Sequence, residues 1–174
     1  MGPMTSRAEM TRNLIGDNWI CAELGVDRGA FSSTILATSN CAGLYSIDRW
    51  AGDRGHDAAQ EEEARALLGR YGGRSSVIKS SFSDALDMFP EGFFDLIYID
   101  GYAHTGQEGG DTLRDWWPKL RERGVFAGHD YSPSWPKTVE RVDDFAKKLG
   151  LTINVTNGHD EYESWWVVKP CNKD

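Results

Sequence analysis

Glu23-Leu24-Gly25-Val26-Asp27-Arg28-Gly29 is the stretch on which the fold turns. The apolar run Ile20–Leu24 leading into it has the length of a strand, and behind it Phe31, Ile35 and Leu36 recur at helical spacing. A strand that runs through a glycine turn straight into a helix opens a parallel α/β unit. Gly25 permits the tight turn, and Gly29 permits close approach of backbone to ligand or of helix to strand. The dinucleotide fingerprint wants glycine at its first, third and sixth positions. Here the third is Asp27 and the sixth is Ala30. A carboxylate in that loop repels a pyrophosphate and welcomes positive charge.

The same alternation continues on either side. Leu44–Ile47, Ser76–Lys79, Phe94–Ile99 and Gly124–Ala127 read as further strands, bounded by Gly, Ser, Asn or Asp. Between them Ala64, Leu67, Leu68 and Tyr71 share a helical face, as do Phe82, Ala85, Leu86 and Phe89. Leu113, Trp116, Trp117 and Leu120 repeat at i, i+3, i+4, i+7, with Pro118 expected to kink or shorten that helix. Val139, Val142, Ala146 and Leu149 make a last face behind Pro136, a favoured first helical residue. Strand–helix alternation predicts a parallel α/β sheet covered on both faces. The tail differs: Leu151–Thr156 and Ser164–Lys169 are strand-like with no helix between, and Asn157-Gly158 opens their connection. An antiparallel pair is expected there.

Ligands of such sheets sit at the carboxyl ends of the strands. The residues to watch are therefore Glu23, Asp48-Arg49-Trp50, Ser80-Ser81-Phe82, Asp100-Gly101 and His129-Asp130. Asp48 follows Gly25 by 23 residues, near the ~20-residue offset at which an acid reaches ribose hydroxyls. The ligand implied is a nucleoside with free ribose hydroxyls, little phosphate and a cationic centre. S-adenosylmethionine fits that description.

The composition narrows the partners. At ~150 residues per domain, 174 residues make one. The 40% hydrophobic content supports a packed core. Lys plus Arg (19) against Asp plus Glu (27) leaves a charge of −8, which argues against a nucleic-acid surface. No apolar run approaches the ~18 residues of a membrane span, and no secretion leader opens the chain. Cys21, Cys41 and Cys171 form no Cys-x-x-Cys pair and fit reduced thiols. The expectation is a cytoplasmic protein with one domain over residues 5–174, Met1-Gly2-Pro3-Met4 being a cloning scar, and with a small-molecule acceptor. Trp116-Trp117 and Trp165-Trp166 put one indole of each pair on the opposite side, which predicts an outward tryptophan and a homodimer.

Glu-x-Gly-x-x-x-Gly after the first strand, Asp48 after the second, Tyr98-Ile99-Asp100-Gly101 after the fourth and Gly128-His129-Asp130-Tyr131 after the fifth together resemble the class I S-adenosylmethionine-dependent methyltransferases. The last of these narrows the likeness to the family-24 type, similar to catechol-type metal-dependent O-methyltransferases. The likeness implies a Rossmann-like three-layer sandwich. Its seven-stranded, mostly parallel sheet has the order 3-2-1-4-5-7-6, with strand 7 antiparallel. By position, Glu23, Gly25 and Gly29 would line the methionine end of the cofactor, with Asp27 in the same loop. Asp48 would take the ribose hydroxyls, with Arg49 and Trp50 beside the adenosine. Ser81 and Phe82 would meet adenine, and Asp100 with Gly101 would touch cofactor or metal. Trp50 and Phe82 fit equally as core residues, and Ser81 as an N-cap ahead of Asp84.

An oxygen acceptor must lose its proton, to a general base or with the help of a divalent cation. Asp100, His129 and Asp130 end neighbouring strands in the implied order and could hold one ion. Catechol-type relatives have Asp, then Asp-Asn, at these positions. Carboxylate-only sites suit magnesium or calcium, whereas an imidazole shifts preference toward manganese, zinc or iron. Equally, His129 and Asp130 would hydrogen-bond locally and shape the loop before Pro133. His104, four residues beyond Asp100, is the first candidate for general base, and Asp100 and His129 complete the catalytic set. His56 lies on a glycine-rich loop able to fold over the pocket, and His159-Asp160 belongs to the tail turn. Two rival readings remain: a nucleotide-dependent oxidoreductase, and a cofactor-binding module without catalysis.

Overall fold

The structure is a computed structural model describing residues 4–52, 56–101, 110–158 and 160–171. His104 and His159 lie outside the described residues. The chain runs α1 (Arg7–Leu14), β1 (Ile20–Leu24), α2 (Ala30–Thr38), β2 (Gly43–Asp48), α3 (Ala58–Gly69), β3 (Ser75–Lys79), α4 (Phe82–Ala85) and β4 (Phe94–Ile99). It continues with α5 (Asp111–Trp116), β5 (Leu120–Gly128), α6 (Pro136–Leu149), β6 (Asn154–Val155) and β7 (Trp165–Val168). The seven strands form one sheet in the order β3-β2-β1-β4-β5-β7-β6. β1 to β5 are parallel, and β7 runs antiparallel to both β5 and β6. This is the predicted order.

The strands alternate between two cores because side chains of a strand point to opposite faces in turn. Cys21, Leu96, Tyr98, Val125 and Ala127 face one core, closed by Met10, Phe31, Ile35, Ala64 and Leu68 of α1 to α3. Ala22, Leu24, Ile97, Ile99 and Phe126 face the other, closed by Ala85, Leu113, Trp116 and Val142 of α4 to α6. Glu23 falls on the α2 side of the alternation, and that side is apolar. Its burial follows from register.

Three expectations need correction. The helix read through Leu120 stops at Trp116, passes through a 3-10 turn at Trp117–Lys119, and hands Leu120 to β5. Pro118 supplies no N–H to continue the α-helical ladder. β5 therefore begins four residues before the predicted Gly124, with a register shift against β4 between Phe94 and Leu96. Neither tryptophan pair presents an exposed indole. Trp116 and Trp165 are buried, Trp117 packs edge-on against Phe126 and Phe145, and Trp166 packs against the first core. The sequence argument for a dimer thereby loses its footing. No helix among the described residues is long and apolar enough to cross a membrane.

Candidate active site

A cavity of about 390 Å3 opens at the carboxyl ends of β1 to β5, within the usual range of ~300–1,000 Å3 for small-ligand sites. The strand ends contribute Glu23, Gly25, Asp27, Asp48, Arg49, Ser80, Ser81, Phe82, Asp100, Gly101, His129 and Asp130 to its wall. Arg7, Ala30, Phe31, His56, Glu161 and Tyr162 close the rest with Val26. Every proposed cofactor residue reaches this wall except Gly29 and Trp50. Of the catalytic set, Asp100 and His129 are there.

Gly25 is where the turn demands glycine. Its φ is +95°, and a Cβ would lie 1.9 Å from the Asp100 carbonyl oxygen. The Gly25 N–H donates to Ile47 O at 2.9 Å, and Asp100 N–H to Leu24 O at 2.7 Å. The loop is thus spliced between the ends of β2 and β4. Gly29 works differently: a Cβ there would press on Ala64 and Leu68 at 3.3 Å. It sets the packing of α2 against α3 and does not line the cavity.

Asp48 is 4% exposed and gathers main-chain donors. Its Oδ2 accepts from Val26 N at 2.8 Å and Asp27 N at 3.1 Å, and stands 3.3 Å from His56 Nδ1. Its Oδ1 accepts from Trp50 N at 3.2 Å. Asp48 therefore clamps the glycine loop to the end of β2 as well as facing the cavity. Trp50, 2% exposed with φ of +39°, is a buttress for the same loop: its indole Nε1 donates to Asp27 O at 2.9 Å. A bulky residue at positive φ is strained and persists only where its surroundings hold it. Ser81 caps α4 by accepting from Asp84 N at 3.0 Å, as the N-cap reading had it, and it also reaches the cavity. Phe82 lies over Gly101, where a Cβ would meet the ring at 2.8 Å.

Glu23 sits 1% exposed beneath α2, bonded by the Ser32 hydroxyl, which also meets Ser46 Oγ at 2.8 Å. Burial pushes its carboxyl up to about 8, against the partial relief given by Ser32. Glu23 is thus mostly protonated at neutral pH. The unfolded chain ionises this group near its ordinary 4.5, so between 4.5 and about 8 the native state holds a proton that the unfolded state has lost. Stability is then expected to fall across that window by up to about 1.4 kcal/mol per pH unit. Thermal melts of Glu23→Gln and the parent at pH 5 and pH 8 check this. The Gln variant should gain relative to the parent at pH 8, and a constant difference would refute the reading.

The end of β4 meets the end of β5 in a charged network. His129 Nδ1 lies 3.1 Å from Asp130 Oδ1 and 3.5 Å from Asp100 Oδ1. Burial alone would lower the imidazole, but its hydrogen bonds to Asp100 and Asp130 outweigh that and raise it to about 9. His129 Nε2 is buried with no hydrogen-bond partner among the described residues. Asp100 Oδ2 accepts from Arg7 Nη1 at 2.8 Å. Burial works against the Asp100 carboxylate, yet His129 and Arg7 hold it below its ordinary range.

Arg7 was not anticipated. Its helix is tied down by Arg7 N donating to Asp160 Oδ2 at 2.6 Å and Asn157 N donating to Met4 O at 2.8 Å. Asp160 therefore does more than fill the tail turn: it fixes α1 over the site. The available signal was Ser6-Arg7-Ala8-Glu9, a capping-box pattern announcing a helix start.

Asp100, His129 and Asp130 bring ligand atoms within 4.8 Å of one another, the spacing of a cation site. The charges do not suit one. The Arg7 guanidinium already occupies one oxygen of Asp100, and the His129 ring bridges the two carboxylates through Nδ1, so a divalent ion would have to displace the guanidinium and break that bridge. The donor set is a network neutralised from within.

The chain matches, over residues 22–131, the sequence model of a family described as a methyltransferase domain. The chain belongs to this family. The chain has the sheet order that the resemblance to class I S-adenosylmethionine-dependent enzymes implied. Among solved structures it is similar to an S-adenosylmethionine-dependent O-methyltransferase of Thermotoga maritima, at 13% identity and a TM-score of 0.71 over 100% of this chain and 69% of that one. It is similar also to a precorrin-6y C5,15-methyltransferase of Geobacter metallireducens, at 12% identity and a TM-score of 0.70 over 96% and 93% of the two chains. Both likenesses are of fold. A protein of Sinorhizobium fredii, the uncharacterized y4gI, is 27% identical over 115 residues. That match takes in 62% of this chain and 12% of the length of y4gI.

Proposed function

We propose that this methyltransferase moves the methyl group of S-adenosylmethionine onto a hydroxyl of a small acceptor, without a metal ion. The observation that carries the reading is the placement of Asp27 and Asp48 on the cavity wall at the glycine loop, outside the Arg7–Asp100–His129–Asp130 network. Such a wall suits a sulfonium-bearing nucleoside and repels a pyrophosphate, which disfavours a nicotinamide dinucleotide. The adenosine would seat between Asp48, Ser81 and Phe82, and the methionine end between Gly25, Glu23 and Asp100. The acceptor then occupies the side framed by His129, Asp130, Glu161 and Tyr162.

Methyl transfer is an in-line displacement, and holding donor and acceptor at contact distance supplies much of its acceleration. The acceptor oxygen forms its bond to carbon as the sulfonium–carbon bond breaks, and the hydroxyl proton must leave. His129, held at Nδ1 between Asp100 and Asp130, serves this step by positioning the two carboxylates on the acceptor side. His104 remains the proposed base that takes the proton.

The test is calorimetry with S-adenosylhomocysteine and with NAD, followed by turnover on a panel of hydroxylated acceptors before and after chelation. Expected are micromolar binding of the nucleoside thioether, no measurable binding of NAD, and turnover unchanged by chelator. Tighter binding of NAD would discard the methyl-transfer reading. Loss of turnover on chelation with recovery on a divalent cation would discard the metal-free one.

A further inference from the structure

We propose that Arg7 and Asp100 together form a receptor for a zwitterionic α-amino-acid head, with Arg7 selecting the carboxylate of the cofactor's methionine end. The inference rests on the cofactor reading above and adds a specificity-determining residue to it. Arg7 and Asp100 are 2.8 Å apart, and both line the cavity, their side chains 30% and 24% exposed. An ion pair that serves only packing has no reason to face a ligand cavity with both members. The guanidinium also lies 4.5 Å from the centre of the Phe31 ring, another cavity residue, so its plane is steadied from one side. A guanidinium offers five N–H donors in a fixed fork matched to a carboxylate, and the contact with Asp100 uses one of them.

The placement of Arg7 is built. Ser6 caps α1 by accepting from Glu9 N at 3.1 Å, and Asp160 and Asn157 hold the segment from the β6–β7 connection. Two long-range contacts thus carry one cation to a wall otherwise dominated by acids. An α-amino acid carries an ammonium and a carboxylate on the same carbon, so its receptor needs an anion and a cation side by side. On binding, each group exchanges one partner for another: the ammonium takes Asp100, and the carboxylate takes Arg7. No charge is left desolvated and unpaired, which would be the costly outcome.

Three ligands separate this from a structural role of Arg7. S-adenosylhomocysteine carries both charges, its decarboxylated analogue lacks the carboxylate, and 5′-methylthioadenosine lacks both. For the parent protein, removing only the carboxylate should weaken binding about 30-fold or more, in line with loss of a charge-assisted bidentate contact. This arm needs no variant. Arg7→Gln should weaken S-adenosylhomocysteine by a similar factor and change 5′-methylthioadenosine less than about threefold, while Arg7→Lys recovers part of the loss. Equal weakening of all three ligands by Arg7→Gln, or no preference of the parent for the carboxylate, would overturn the proposal. Should the parent bind none of the three, the cofactor reading itself falls and takes this inference with it.

Discussion

Asp48→Ala should cost the protein its cofactor affinity by about 100-fold or more and lower its stability as well. The two losses have separate causes. Removing the carboxylate strips an acceptor from the main-chain N–H groups of Val26, Asp27 and Trp50. Val26 and Trp50 are buried, so their amides cannot turn to water, and a buried orphan donor costs about 1–3 kcal/mol. The loop that carries Gly25 then loosens at the cavity wall. Asp48→Asn separates the causes in part: its one amide oxygen still accepts from Val26 and Asp27 while its amide nitrogen faces the Trp50 N–H, and the charge is gone. It should lose less stability than the Ala variant, with one main-chain donor orphaned in place of three, yet bind S-adenosylhomocysteine at least about tenfold more weakly, since hydrogen bonds to charged acceptors are roughly twice as strong as neutral ones. An Asn variant that binds as the parent does would reduce Asp48 to a loop clamp.

Gly25→Ala is expected to be the most damaging single methyl in the chain. The added Cβ would stand 1.9 Å from the Asp100 carbonyl oxygen and 2.6 Å from its carbon. Both atoms are backbone, so no rotamer change relieves the clash. The φ of +95° adds strain for any residue with a side chain, about 1–2 kcal/mol in left-handed regions. Relief requires β1 and β4 to part where they share the Asp100 N–H to Leu24 O bond. The expected loss exceeds about 4 kcal/mol, a large share of a typical domain's stability. Gly158→Ala is the control: its φ is +107°, but nothing lies within 4 Å of the added carbon. Denaturant titration of the two variants should show the first collapsing and the second losing about 1–2 kcal/mol. Comparable midpoints would mean that the loop has room it does not show.

How much of this was legible beforehand depended on whether a residue's role was local. Strand ends announced themselves through period and punctuation, and so Asp48, Asp100 and His129-Asp130 were found at the cavity. The antiparallel tail was readable from two strand-like runs with no helix between them. For Trp50 and Gly29 the sequence leaves ligand contact and packing both open, because spacing reports that a residue follows a strand, not which way it faces. Their neighbours, Asp27 in one case and Ala64 with Leu68 in the other, are distant in sequence. Asp48 seemed to need a ligand to explain its charge, yet amides more than 20 residues away supply part of the answer. Arg7 was invisible for the same reason: its partner lies 93 residues downstream. Leu120 satisfied the helical period and still became strand, because Pro118 withholds one N–H and the period does not register that.

The placement of β7 between β5 and β6 has a consequence for how the molecule assembles. β6 pairs with β7 alone, and β7 bridges it to β5. As the ribosome releases the chain from its amino end, the five parallel strands and their helices can associate early. Asn154 and Val155 must then wait, unpaired, until Trp165–Val168 emerge and slide into the slot beside β5. The same segment delivers Asp160, which anchors α1, so that helix is fastened only once the β6–β7 connection has emerged.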